Sequence, residues 1–179
     1  VENVVQQYFE DNTGLFDQSF RRSNLLSLVD EVDPSVLSSR AELKLQKRFV
    51  PFIGTTESAE LRYASPIAEP NDEKAVIQST PFFVDGNRVE IRNKLDEYKL
   101  QLHATATDTV YIDNIGEYEP STGLVKLVGI RVDSIIGGNN YIKISGDAAN
   151  PSVSSPGQNQ IVVYDDGPSF VQATVVTTS

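Results

Sequence analysis

His103 is the single histidine in 179 residues, and imidazole is the side chain that most often serves as a general base or metal ligand near neutral pH. Neither use finds partners here. With no cysteine and no second histidine there is no ligand set for zinc, and no serine sits in the G-x-S-x-G turn that a triad with His103 would use. The residue alternates with the apolar positions of its strand beside Lys99 and Gln101, which reads as a solvated polar face. Carboxylates offer the other chemistry. Asp165 with Asp166, or Asp113 with Glu117 or Glu119, would work as a pair if two of them met in a cleft about 5–10 Å apart. Adjacent acids before Gly167-Pro168 read first as turn formers, and acids at strand edges as solvated. Calcium needs about six to eight oxygen ligands, and Asp85-Gly86-Asn87 and Asn71-Asp72-Glu73 are too short to supply them alone. Gly137-Gly138 is followed by neither a helix pattern nor a lysine, so it makes a turn and no phosphate cradle. These residues predict no catalytic, cofactor or metal site, and a protein that is not an enzyme.

Composition narrows the partners. A net charge of −10 opposes the clustered Lys and Arg field that phosphate backbones require, so no nucleic-acid partner is expected. No run approaches the roughly 18 apolar residues of a membrane span, and Val1 opens neither a basic nor an apolar leader, so no membrane partner is expected. The 39% hydrophobic content is enough for a core without disulfides, and a chain of this length buries roughly 70% of its unfolded surface. The sequence contains no Met, which reads as a piece of a longer chain.

The elements follow from periodicity. Val1, Val4, Val5, Tyr8 and Phe9 form one helical stripe ending near Asn12 and Gly14. Leu25, Leu28, Val29 and Val32 form a second, started by Ser19 and stopped at Asp33-Pro34. The period then changes to two. Ala41, Leu43, Leu45 and Phe49 alternate with charged or polar residues up to Pro51, and Lys47 on the apolar side predicts a bulge or the end of burial. Asp85-Gly86-Asn87 joins Phe82–Val84 to Val89 and Ile91 as a tight hairpin. Tyr98, Leu100, Leu102 and Ala104 make a further strand, and Pro120-Ser121-Thr122-Gly123 joins Val110–Glu119 to Leu124–Ile130. Further strands are expected at Tyr141–Ser145, Ile161–Tyr164 and Phe170–Thr177. The prediction is an α+β fold, two N-terminal helices followed by a mostly antiparallel β-sheet region. Domain boundaries are expected to give residues 1–54 as a helical subdomain with the first strand and 55–179 as a β-rich subdomain, with 55–72 as the connecting loop, inside which Leu61–Ala64 is a candidate short strand.

Apolar surface exceeds what two short helices can cover. Leu124–Ile130 carries apolar residues on both faces, with only Lys126 polar, and Ala173–Thr177 has no Pro or Lys to protect an edge. A self-association surface is therefore expected at Val1, Val4, Val5, Tyr8, Val125, Leu127 and Val175, giving a homodimer.

Three runs, Val4-Val5-Gln6-Gln7-Tyr8-Phe9, Phe20-Arg21-Arg22-Ser23-Asn24-Leu25-Leu26 and Leu43-Lys44-Leu45-Gln46-Lys47-Arg48-Phe49-Val50-Pro51, resemble in their order the C-terminal half of the baseplate wedge protein of T-even-type myophages. That protein is the product of gene six, in the baseplate J-like family. The hairpin Gly116-Glu117-Tyr118-Glu119-Pro120-Ser121-Thr122-Gly123-Leu124-Val125 resembles one in the same family, which extends the resemblance over nearly all of the chain. It implies a non-catalytic role in the virion of a contractile-tailed bacteriophage: assembly in the host cytoplasm, and wedges joined into a ring around the tail hub through self-association and contacts with other wedge proteins. The second reading is a carbohydrate-binding or adhesin-like β module. It rests on seven Tyr and Asn- and Gly-rich loops, and requires exposed aromatics gathered on one face.

Overall fold

The computed structural model describes residues 3, 7, 8, 11, 20–31, 44–63, 65–150 and 152–153. Two compact units are present, one from Val1–Glu42 with Pro151–Ser179 and one from Leu43–Asn150. In the first, β1 (Phe20–Arg21) leads directly into α1 (Arg22–Asp30), and β1 pairs antiparallel with β12 (Ser152–Val153). Leu25 and Val29, four apart on α1, are 6% and 8% exposed, while Leu28 stays in solvent.

This corrects the expected α+β class. Among the described residues α1 is the one continuous helical segment, against twelve strands, and the molecule is mostly β. Asn3, Gln7, Tyr8 and Asp11 have helical backbone, with the Gln7 amide donating to Asp11 Oδ1 at 2.9 Å. The remaining residues of the Val1–Asn12 stripe lie outside the described ones. The expectation gave two local stripes the weight of a layer, whereas turn chemistry at short intervals commits the longer part of the chain to strands.

The second unit is a nearly closed barrel built on a meander. Its strands are β2 (Lys44–Phe49), β3 (Thr56–Arg62), β4 (Ile77–Ser79), β5 (Phe82–Val84), β6 (Asn87–Asn93), β7 (Lys99–Ala104), β8 (Thr109–Glu119), β9 (Leu124–Arg131), β10 (Ser134–Ile135) and β11 (Ile142–Asp147). They run β2-β11-β4-β6-β7-β8-β9-β3, all paired antiparallel. Asp85 and Gly86, at φ 48° and 77°, form the two-residue turn expected between β5 and β6. Past β9 the chain turns to the other end of the meander: Asp133 N–H donates to Phe83 O at 2.9 Å, and β10 pairs with β5. β4 and β5 lie along one side of β6, interrupted at Pro81, which has no N–H to give a ladder. At the other end, the buried Tyr63 hydroxyl donates to Ile144 O at 2.6 Å, and Ile67 bridges Ala148, tying the chain after β3 to β11.

Phe82, Ile77, Val89, Ile91, Leu100, Ile142 and Ile144 are fully enclosed at 0% exposure. Burial of each contributes roughly 1.5–3 kcal/mol relative to exposure. Asn93, 1% exposed, satisfies backbone where β4 starts irregularly. Its Oδ1 accepts from Val76 N–H at 2.7 Å and Ile77 N–H at 2.9 Å, and its Nδ2 donates to Lys94 O at 2.7 Å.

Two local expectations are corrected here. Lys47 makes no bulge: the β2–β11 ladder runs in register from Phe49 opposite Ile142 to Lys44 opposite Asp147. Lys47 is half-buried, an arrangement its aliphatic stem tolerates while the ammonium reaches water. The stretch 55–72, expected as a loop with a candidate short strand at Leu61–Ala64, contains the longer and earlier β3, which pairs with β9 from Thr56 to Arg62.

β9 also explains its own apolar excess. Val128 and Gly129 together oppose the single residue Ser58, since Glu57 pairs with Ile130 and Ala59 with Leu127, and Gly129 has φ 64°. This is a bulge that advances the alternation by one residue. Val125 and Leu127 point into the barrel before it, Ile130 and Val132 after it, at 0%, 1%, 1% and 1% exposure, and Val128 is left outside at 60%.

Candidate functional site

The connection from β8 to β9 is the tight turn expected from Pro120–Gly123. Thr122 Oγ1 donates to Glu119 Oε2 at 2.8 Å, and Gly123 N–H returns to Pro120 O at 3.3 Å. Gly123 has φ 64°, and a Cβ there would lie 2.6 Å from Ser65 O and 2.9 Å from Tyr63 O. The chain thus permits glycine alone where the hairpin passes the end of β3.

The base of this hairpin borders a cavity of about 430 Å³, whose wall includes Glu69, Tyr98, Glu117, Tyr118, Glu119 and Lys126. The volume falls in the range of small-ligand sites, about 300–1,000 Å³. Tyr98 is half-exposed and its hydroxyl donates to Glu69 Oε2 at 3.0 Å. Its ring meets that of Tyr118 edge-on, with centroids 5.9 Å apart and planes at 62°. Glu117 stands opposite Lys126 in the ladder. Tyr118 is 3% exposed, and its buried hydroxyl has no hydrogen-bond partner among the described residues. The hydrogen bond to Glu69, and then that carboxylate's charge, hold the Tyr98 pKa above its ordinary value. Burial, and then the Glu69 charge, push Tyr118 up as well. Both phenols stay neutral at physiological pH.

His103 is less exposed than its sequence position suggests. Its side chain is 14% exposed; Nε2 lies 2.6 Å from Gln101 Nε2, and Nδ1, 3.9 Å from Asp108 Oδ1, has no hydrogen-bond partner among the described residues. Burial first, and the Arg92 charge second, pull its pKa below the ordinary 6.5, against weaker upward pulls from Asp108 and Glu90. Arg92 bridges Glu90 and Asp108, the latter at 2.6 Å. The ring is therefore a neutral member of a polar network on β6 and β7. Of the carboxylates considered from sequence, Asp113 is paired with Lys94 at 2.8 Å and Glu117 and Glu119 border the cavity, while Asp165 and Asp166 lie outside the described residues.

Of the residues expected at an interface, three are described. Val125 and Leu127 are enclosed in the barrel. Tyr8 is half-buried on helical backbone, and Val1, Val4, Val5 and Val175 lie outside the described residues. Apolar exposure occurs instead at Val50, Phe52 and Ile53, 58%, 73% and 54% exposed, in the β2–β3 connection. That connection is held in place: Phe52 N–H donates to Glu57 Oε1 at 2.7 Å and Gly54 N–H to Val132 O at 2.8 Å. The sequence signal for it, three apolar residues around Pro51 with no charge, was present but read as the close of a strand. The aromatics are not gathered on one exposed face among the described residues. Tyr63 and Tyr118 are buried, Tyr141 lies under the Arg48 guanidinium at 4.6 Å, and Tyr111 reaches Asp85.

Comparison with known families gives a match for the start of the chain. Residues 1–48 match the family model described as "Baseplate structural protein gp6, C-terminal domain III". The match ends within β2, short of the hairpin that the resemblance drawn from the sequence also included. No curated protein and no solved structure matches the chain. The family identified from the order of the N-terminal runs is thus the one whose domain model residues 1–48 match, that of the baseplate structural protein gp6.

Proposed function

We propose that this chain is a non-catalytic structural component of a contractile phage tail baseplate, which joins wedges into a ring around the hub through self-association and contacts with other wedge proteins. The observation that carries this reading is the match of residues 1–48 to the gp6 domain model, which supports a structural role in a phage baseplate. The physical character of the second unit agrees with it. A barrel with its core sealed and the connection Val50–Ile53 hydrogen-bonded in place with its apolar side chains in solvent suits docking better than turnover, because a preorganised apolar anchor loses little entropy on binding. The self-contact proposed runs through Val1, Val4, Val5, Tyr8 and Val175. Val125 and Leu127 are buried inside the barrel at 0% and 1% exposure.

Immunogold electron microscopy with antibodies against the chain tests the placement on particles of the phage whose genome encodes it. Gold at the distal end of the tail is expected. Labelling of the head or of the lysate alone, with bare tails, would overturn the reading.

A further inference from the structure

The barrel has two unpaired strand edges. Among the described residues β2 is bonded only to β11 and β3 only to β9, and the two are the ends of one strand order. Free N–H and C=O groups along an edge are a template for another strand, which proteins guard against with bulges, proline or charge. Neither end strand uses the first two. The β2–β11 ladder keeps one register, and at the β3–β9 bulge the extra residue belongs to β9, which leaves β3 unbroken from Thr56 to Arg62. Neither strand contains proline. Charge remains, and it is divided by sign.

β2 carries Lys44, Lys47 and Arg48, whereas β3 carries Glu57 and Glu60, with Arg62 at its end. Arg48 lies over Tyr141, but Lys44, Lys47, Glu57 and Glu60 make no ion pair among the described residues. Strand direction alternates all along the order from β2 to β3, so the end strands run oppositely and their edges would meet antiparallel. One register satisfies sign and face together. It sets Lys44 opposite Glu60, Gln46 opposite Ser58 and Arg48 opposite Thr56, all exposed, and Leu45 opposite Ala59 and Lys47 opposite Glu57, all buried or half-buried. Arg62 falls beyond the end of β2. A slip of one residue would set exposed positions against buried ones. Pairing β2 with β2, or β3 with β3, would gather like charges, which cross-strand neighbours do not tolerate.

We infer that the β2 edge of one copy of this chain pairs antiparallel with the β3 edge of a second copy, in the register that places Lys44 against Glu60 and Lys47 against Glu57. A two-fold axis along the strands forms two such ladders at once, each copy giving β2 to one and β3 to the other, and so closes a dimer. This inference rests on the self-association in the proposed role and gives it a surface on the barrel.

The experiment exchanges the charges in separate full-length chains, one with Lys44→Glu and Lys47→Glu, the other with Glu57→Lys and Glu60→Lys, and measures association of each alone and of their equimolar mixture by sedimentation velocity. Each alone opposes like charges in both ladders and is expected to associate roughly tenfold more weakly than the parent, or worse; the mixture restores every pair and should return to the parent's affinity. Mixing separates this contact from closure of the barrel within one copy, which a second chain cannot restore. Circular dichroism checks the fold, and Lys44→Glu against Glu60→Lys, at exposed positions only, carries the same comparison if a double variant melts early. A variant that associates as tightly as the parent, or a mixture no tighter than its components, would overturn the edge contact and leave self-association standing. A folded parent that stays monomeric at hundreds of micromolar would overturn both.

Discussion

Gly123 shows how much a single residue decides in this chain. Its positive φ and the two backbone carbonyls that crowd its missing Cβ mean that Gly123→Val must move either the end of β3 or the hairpin. The variant is expected to lose at least about 2 kcal/mol, seen as a drop of several degrees in a thermal melt followed by circular dichroism. An unchanged melting temperature would contradict the placement. The sequence made this position legible, since Pro120-Ser121-Thr122-Gly123 is turn chemistry in itself. His103 was legible only in part. Alternation put it on the polar side beside Gln101, but the Arg92 charge acts on it from β6 and Asp108 approaches it from the turn after β7, and strand alternation does not report such contacts. Because its native pKa lies below the unfolded value of 6.5, the unfolded chain binds the proton more readily. Its stability contribution is complete above pH 6.5 and is lost as pH falls through the lowered native value. His103→Gln should therefore flatten the fall in urea midpoint on acidification below pH 6.5. A variant whose midpoint falls with the same slope as the parent would show that the ring is not held neutral by its surroundings.

At the scale of elements, strong alternation and strong turns were read correctly and weak ones were missed. β5, β6 and the β8–β9 hairpin carry Asp-Gly and Pro-to-Gly turns between apolar runs. β3 carries Thr56-Glu57-Ser58-Ala59-Glu60-Leu61-Arg62, no residue of which is buried, so it has almost no hydrophobic pattern to find. It is a strand because β9 supplies a full antiparallel ladder. β9 misled for a different reason. An apolar run on both faces resembles a doubly covered strand, and only the bulge at Val128-Gly129, set by pairing across to Ser58, shows that one face is buried throughout. The bulge makes a sharp contrast between neighbours. Leu127→Asp would place a carboxylate at a site 1% exposed and should prevent folding, whereas Val128→Asp, at 60% exposure, should change stability by no more than about 0.5 kcal/mol. Chemical denaturation of the two variants side by side measures this, and equal effects would mean that the alternation does not shift at Gly129.

The family match lies in residues 1–48, which end within β2, and the rest of the barrel adds a sealed core, a hydrogen-bonded apolar connection and an acidic cavity. Fold class was the least legible property at this scale, because two helical stripes at the start of the chain said nothing about how many strands would follow. The candidate cavity was invisible for the same reason: Glu69, Tyr98 and Glu119 come from separate segments, and Tyr118 was read as part of a hairpin motif with no role of its own. The central claim is that the chain works by assembling. A stable dimer buries about 1,200–2,000 Å² in total, and the exposed Val50–Ile53 connection offers apolar surface toward it. Sedimentation velocity of the whole chain across a concentration series, with circular dichroism confirming that it is folded, tests this directly: the account predicts a homodimer at micromolar concentration, and a folded chain that remains monomeric at hundreds of micromolar would contradict it.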